Sequence, residues 1–76
     1  MEKFGEKLRA LRIRSGLTLK ELALSLGLTA HGYLSEIECG KKKPTVEFAL
    51  KVAEYFKVTT DELLKDDIEI QFKKNM

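Results

Sequence analysis

The stretch from Thr18 to Pro44, TLKELALSLGLTAHGYLSEIECGKKKP, restricts the fold more than any other part of the chain. Thr18 and Glu21 have the T-x-x-E spacing of a capping box, in which the hydroxyl accepts from a first-turn amide and the carboxylate reaches back to the amide of the cap. Leu22, Ala23 and Leu26 follow at helical spacing. Gly27 then stops that helix, because glycine enters the left-handed region at little cost. Thr29 is placed to cap a second helix, in which Leu34 and Ile37 stand three apart on one face. Ala23, four residues before Gly27, is small where a second helix must cross closely. The stretch predicts two short helices joined by a tight glycine turn, followed by three consecutive lysines.

The remaining segments supply partners for this pair. Residues 2–14 predict a first helix, with Phe4, Leu8 and Leu11 at i, i+4 and i+7. Ser15-Gly16 ends it. Thr45 caps a fourth helix whose predicted apolar stripe is Val46, Ala49, Leu50, Ala53 and Phe56. Lys57 stands where a glycine would ease the exit. Thr60 is the expected cap of a short fifth helix, with Asp61 and Glu62 near its positive N-terminus and Leu63-Leu64 turned inward. From Asp66 to Met76, Ile68, Ile70 and Phe72 alternate with Glu69 and Gln71, which is strand periodicity. The expected fold class is all-α: a compact five-helix domain over residues 1–67 and a short extended C-terminal tail over 68–76, a candidate dimerisation strand.

Seventy-six residues suffice for one domain, whose modest core must come from helix-on-helix contact and would gain from dimerisation. The composition, 43% hydrophobic and 34% charged, belongs to a folded chain and not to a disordered one. No apolar run approaches the length of a membrane span or a signal-peptide core, so a cytoplasmic location with no membrane partner is expected. The net charge of +2 hides an asymmetry: residues 1–43 carry nine Lys/Arg against five acids, and residues 44–76 carry five against seven. The basic half contains the helix pair, which favours a polyanionic partner.

The order Phe4–Leu8–Leu11-Arg12, Gly16-Leu17-Thr18, Glu21-Leu22-Ala23, Gly27, Leu34-Ser35, Ile37-Glu38-x-Gly40-x-x-x-Pro44, Ala53 and Leu63 resembles the phage-repressor/Cro (Xre-like) helix-turn-helix family. The resemblance covers residues 4–64, and its I-E-x-G-x-x-x-P ending is specific. It implies a five-helix, usually dimeric DNA-binding domain that sets its third helix in the major groove. It also implies that Arg12 and Glu38 form a structural ion pair between the first and third helices. Two departures stand out. Ten residues, Leu28 to Ile37, occupy a span that is nine in the family, so one extra residue must be absorbed around Thr29–Gly32. Leu19 stands where the family often has a glutamine that touches the DNA backbone, which leaves that contact to Lys20 or removes it.

With Leu34 and Ile37 inward, the residues expected to face base edges are Ala30, His31, Gly32, Tyr33, Ser35 and Glu36. Tyr33 can hydrogen-bond a phosphate or pack on a thymine methyl, and Ser35 can reach a base or a phosphate. Glu36 can accept from a cytosine amine, or else point to solvent or pair with a neighbouring lysine. Thr18, Lys20, Thr29, Lys41, Lys42 and Lys43 are the expected phosphate contacts, which set affinity and register without reading sequence. Phe48 and Tyr55, seven apart and expected on the outer side of the fourth helix, join Ile68, Ile70 and Phe72 as candidate dimer residues.

No catalytic constellation, cofactor site or metal site is expected. His31 and Cys39 on one continuous helix would lie roughly 12 Å apart, too far for a direct dyad. Cys39 offers neither an internal disulfide nor a cysteine-based metal cluster. The sequence is therefore read as a dimeric, sequence-specific regulator of double-stranded DNA, a repressor occupying a palindromic operator. The alternatives are an autoregulatory antitoxin or restriction-modification controller of the same fold, and a protein-interaction module without DNA binding.

Overall fold

The computed structural model describes residues 2–70, which form five helices in chain order: α1 (Phe4–Arg14), α2 (Leu19–Ser25), α3 (Gly32–Glu38), α4 (Val46–Phe56) and α5 (Thr60–Leu64). The all-α architecture is the one expected. Phe4, Leu8 and Leu11 of α1 enter a single core with Leu22, Ala23 and Leu26, Leu34 and Ile37, Phe48, Ala49, Val52 and Ala53, and Leu63. The α2 capping box is complete, with Thr18 accepting from the Glu21 amide at 3.0 Å and Glu21 from the Thr18 amide at 2.8 Å. After α2, Gly27 takes φ +78° and the Leu28 amide returns to the Ala23 carbonyl at 2.8 Å, which turns the chain sharply toward α3.

Several local expectations are corrected. Thr29 does not cap α3. The helix begins at Gly32, His31 is its N-cap residue, and no side chain caps it. Residues 29–31 thus stay outside the helix. The cap of α5 is Thr59, one residue earlier than expected, because Glu62 lies three residues after it and closes a second capping box. Around α4 the apolar face is rotated: Val46 and Leu50 are 76% and 50% exposed, whereas Phe48 and Val52 are buried. Phe48 is therefore a core residue, not an outer-face dimer residue. Its ring fills the space between Phe4, at 6.2 Å, and Tyr33, which meets it edge-on at 5.2 Å. Tyr55 does remain exposed, with its ring edge-on to Phe56 at 4.9 Å. Lys57 accepts the left-handed conformation (φ 58°) that ends α4.

No strand is present among the described residues, and Ile68 and Ile70 are half-buried against the same chain. Phe72 lies outside the described residues. The segment after α5 is instead clasped to the start of α1. The Lys7 ammonium donates to the carbonyls of Glu62, Lys65 (2.8 Å) and Ile68 (2.6 Å), ending α5 with a positive charge. In return the Asp66 carboxylate accepts from the amides of Lys3 (2.9 Å) and Glu2 (3.0 Å), the work of an N-cap, since the Lys3 side chain makes no cap bond.

The packing of α1 on α3 depends on two features. Gly5 lies against the last turn of α3, where an added Cβ would stand 2.8 Å from the Glu38 carbonyl oxygen and nearer still to that of Ile37. About two turns further along α1, Arg12 Nε donates to Glu38 Oε2 at 2.8 Å and Nη2 to Oε1 at 3.2 Å, while Nη1 donates to the Leu17 carbonyl at 2.9 Å. These side chains are only 13% and 7% exposed. Every buried side-chain nitrogen or oxygen among the described residues has a partner.

Three outcomes are expected. Gly5→Ala forces α1 away from α3 and should cost about 1–3 kcal/mol of stability in denaturant titration; an unchanged midpoint would contradict the close approach. Glu38→Gln leaves the guanidinium without its counter-charge at a largely dry site and should cost about 3 kcal/mol. An equal loss from replacing an exposed glutamate such as Glu54 would show that burial is irrelevant. The third concerns acid. The Lys3 amide, with that of Glu2, holds the Asp66 carboxyl below its ordinary value of 3.8. The contribution is complete above that value and is lost as pH falls through the lower folded-state pKa. Stability curves of the wild type and Asp66→Asn should therefore converge below about pH 4.

Candidate nucleic-acid interface

The surface follows from how α2 and α3 are held. Leu22 and Ala23 of α2 and Leu34 and Ile37 of α3 face the core, which leaves the opposite sides of both helices in solvent. The seven residues of α3 span only about 10 Å, the width of a few base pairs. On this side Ser35 is exposed and Glu36 is partly exposed. Ala30 and His31 are exposed as well, but they belong to the connection ahead of α3, with Gly32 as the first helical residue. Tyr33 is half-buried, with its ring packed on Phe48. Thr18, Lys20 and Thr29 are exposed at the start of α2 and in the turn before α3.

The lysine loop is folded back onto the end of α3. The amides of Lys41 and Lys42 both donate to the Glu36 carbonyl, at 2.8 and 3.3 Å, and Gly40 takes φ +82° to allow this return. Lys41, Lys42 and Lys43 are all exposed, and the first two are tied by their amides to the end of α3. Lys42 has partners there: its Nζ lies 3.4 Å from Glu36 Oε1 and 5.9 Å from the centre of the Tyr33 ring. The chain then enters α4 through Thr45, whose hydroxyl accepts from the Phe48 amide at 3.0 Å.

Sequence reasoning missed Gly5 and Lys7, neither of which touches this surface but both of which fix the helix that carries α3. Periodicity alone gives no signal for Lys7, because its acceptors lie 55 to 61 residues away. Gly5 inside an otherwise regular helix pattern was the available cue. Among the described residues no group of three or more His, Cys, Asp or Glu could hold a metal ion, and no helix is long and apolar enough to cross a membrane. Cys39 is exposed at the end of α3 with its sulfur 3.7 Å from the Glu36 carbonyl.

The chain is similar to known proteins. Residues 8–63 match the helix-turn-helix family. The chain is 37% identical over 62 residues to YonR, an SPbeta prophage-derived HTH-type transcriptional regulator of Bacillus subtilis, covering 82% of this chain and 56% of that protein. It is 43% identical over 65 residues to the HTH-type transcriptional repressor RghR of the same organism, covering 84% of this chain and 47% of that one. The chain thus spans about half the length of these curated relatives. The N-terminal DNA binding domain of SinR from Bacillus subtilis superposes with a TM-score of 0.79 at 31% identity, over 91% of this chain and all of that one. With the family pattern running through all five helices and the matching structure over nearly the whole domain, the chain belongs to the phage-repressor-like (Xre-like) helix-turn-helix family.

Proposed function

We propose that this protein is a transcriptional regulator that binds double-stranded DNA sequence-specifically as a dimer and represses by occupying a palindromic operator. The observation that carries this reading is the pairing, on one side of the domain, of the exposed side of α3 with the lysine loop folded back beside it. The named functions of the relatives, a repressor and a DNA binding domain, support it. In this reading Tyr33, Ser35 and Glu36 meet base edges in the major groove, and Ala30, His31 and Gly32 lie at the entry to the helix. Thr18, Lys20, Thr29, Lys41 and Lys43 meet the phosphates on either side. A single α3 reads only a half-site. Two copies with their α3 helices about 34 Å apart would read successive major grooves on one face of the duplex. Tyr55, Ile68, Ile70 and Phe72 are the residues proposed to join the copies. The role is one of binding, with no chemistry performed on the partner.

Selection of bound sites from random duplex DNA, followed by salt titrations, tests this. The wild type should enrich a two-fold symmetric site. Lys41→Ala and Lys43→Ala should weaken binding to all sequences alike and flatten the slope of log affinity against log salt by about 0.9 each. Ser35→Ala should change which bases are preferred, by about 1–3 kcal/mol at the affected position. If the lysine variants alter base preference and the α3 variant does not, the two surfaces have been exchanged. A wild type with no salt-dependent affinity for duplex DNA would end the reading altogether.

A further inference from the structure

The three lysines of the loop are not equivalent. Lys41 and Lys43 are exposed and make no ion pair among the described residues. Lys42 is drawn over the side of α3, against the carboxylate of Glu36 and the face of Tyr33, two residues three apart and therefore on one helical face. The backbone favours this placement: both its own amide and that of Lys41 are bonded to the Glu36 carbonyl, which ties the start of the loop to the end of α3. Resting on the proposed DNA-binding reading, we infer that Lys42 is a specificity-determining positioning residue and not a phosphate contact. It neutralises and aims Glu36 on the reading surface.

A carboxylate on a surface that meets a polyanion is repelled unless a cation accompanies it or a base donor compensates it. Lys42 is the cation that accompanies Glu36. In the free protein the pair gains little, since the two side chains are 57% and 44% exposed and water screens them. Under a duplex both lose that water, and a charge pair is stronger where the effective dielectric constant is lower. With its charge matched, Glu36 can approach a cytosine amine, and the ammonium, which lies nearer Oε1, leaves Oε2 to accept. Lys42 over the Tyr33 ring also restricts where the tyrosine edge can lie, because a cation is attracted to the face of the ring. The ammonium is thus committed to Glu36 and Tyr33 and adds nothing to the count of neutralised phosphates.

The test is a double-mutant cycle of Lys42→Met and Glu36→Gln in the full chain. It uses two probes: the best duplex selected by the wild type from a random pool, and a random duplex of the same length. Removing Lys42 from the wild type should change base preference, lowering the affinity ratio between the two probes about tenfold, and leave the salt slope nearly unchanged. Glu36→Gln frees Lys42 to turn to a phosphate, so removing Lys42 in that background should leave base preference alone and lower the slope by about 0.9. Both side chains are largely exposed, and the thermal midpoint should stay where it is in all four proteins. Loss of slope by about 0.9 on removing Lys42 in both backgrounds, with base preference constant, would make Lys42 an ordinary phosphate contact and overturn the inference. That result would leave the DNA-binding reading intact. Failure of the wild type to bind either probe would instead remove that reading, and this inference with it.

Discussion

Helices α1 and α3 touch backbone to backbone at Gly5, and the other elements of the domain are arranged around that contact. With no side chain on one helix, the carbonyl groups of Ile37 and Glu38 come within van der Waals reach of the other. That proximity brings the Arg12 fork onto the Glu38 carboxylate and leaves the pair mostly shielded from water. A buried pair contributes little compared with apolar residues of the same shape, but breaking it is costly, because it leaves the other charge unpaired at a largely dry site. The pitch of α3 and the direction in which Ser35 and Glu36 face are consequences of this contact, although none of the residues that set it lies on the exposed surface.

A second tier of interactions holds the supporting helices. Phe48 stands between Phe4 and Tyr33, so α4 is keyed to both the first helix and the third through aromatic edges. Lys51 reaches back to the Leu26 carbonyl at 3.4 Å, which joins α4 to the end of α2. The small residues Ala49 and Ala53 let α4 lie close to its neighbours. Tyr33 therefore has two duties: its ring is part of the core, and its outer edge belongs to the surface of α3. Its replacement would disturb both, which makes Ser35 the cleaner probe of recognition.

What the sequence disclosed and what it withheld divide along the range of the interactions. The capping box of Thr18 and Glu21, the turn at Gly27 and the inward pair Leu34 and Ile37 rest on neighbours within four residues, and pattern reading found them. Thr29 has the right chemistry for a cap but lies three residues before α3, whose N-cap residue is His31. The rotation of α4 could not be read from spacing. Val46 and Leu50 form one apolar row and Phe48 and Val52 another, and periodicity does not choose between rows. Phe4 and Tyr33 make that choice, from more than a dozen residues away. The C-terminal alternation of Ile68 and Ile70 has strand periodicity, and spacing alone gives no sign that Lys7 donates to the Ile68 carbonyl.

The clasp of Lys7 and Asp66 bears on the order in which this chain folds. Its hydrogen bonds link residues 55 to 64 apart in sequence, so each of them closes a loop that is nearly the whole domain. Closing such a loop in an unstructured chain would cost several kcal/mol, and the cost grows only slowly with length. Helices α1 and α5 must therefore be brought together by the intervening core before the clasp can form. A contact that closes last in folding opens first under stress. The amides of Glu2 and Lys3, both exposed, should exchange their hydrogens far sooner than those of Leu22 or Ile37. The meeting of α1 and the segment after α5 is thus the expected place of first local opening, remote from the surface of α3.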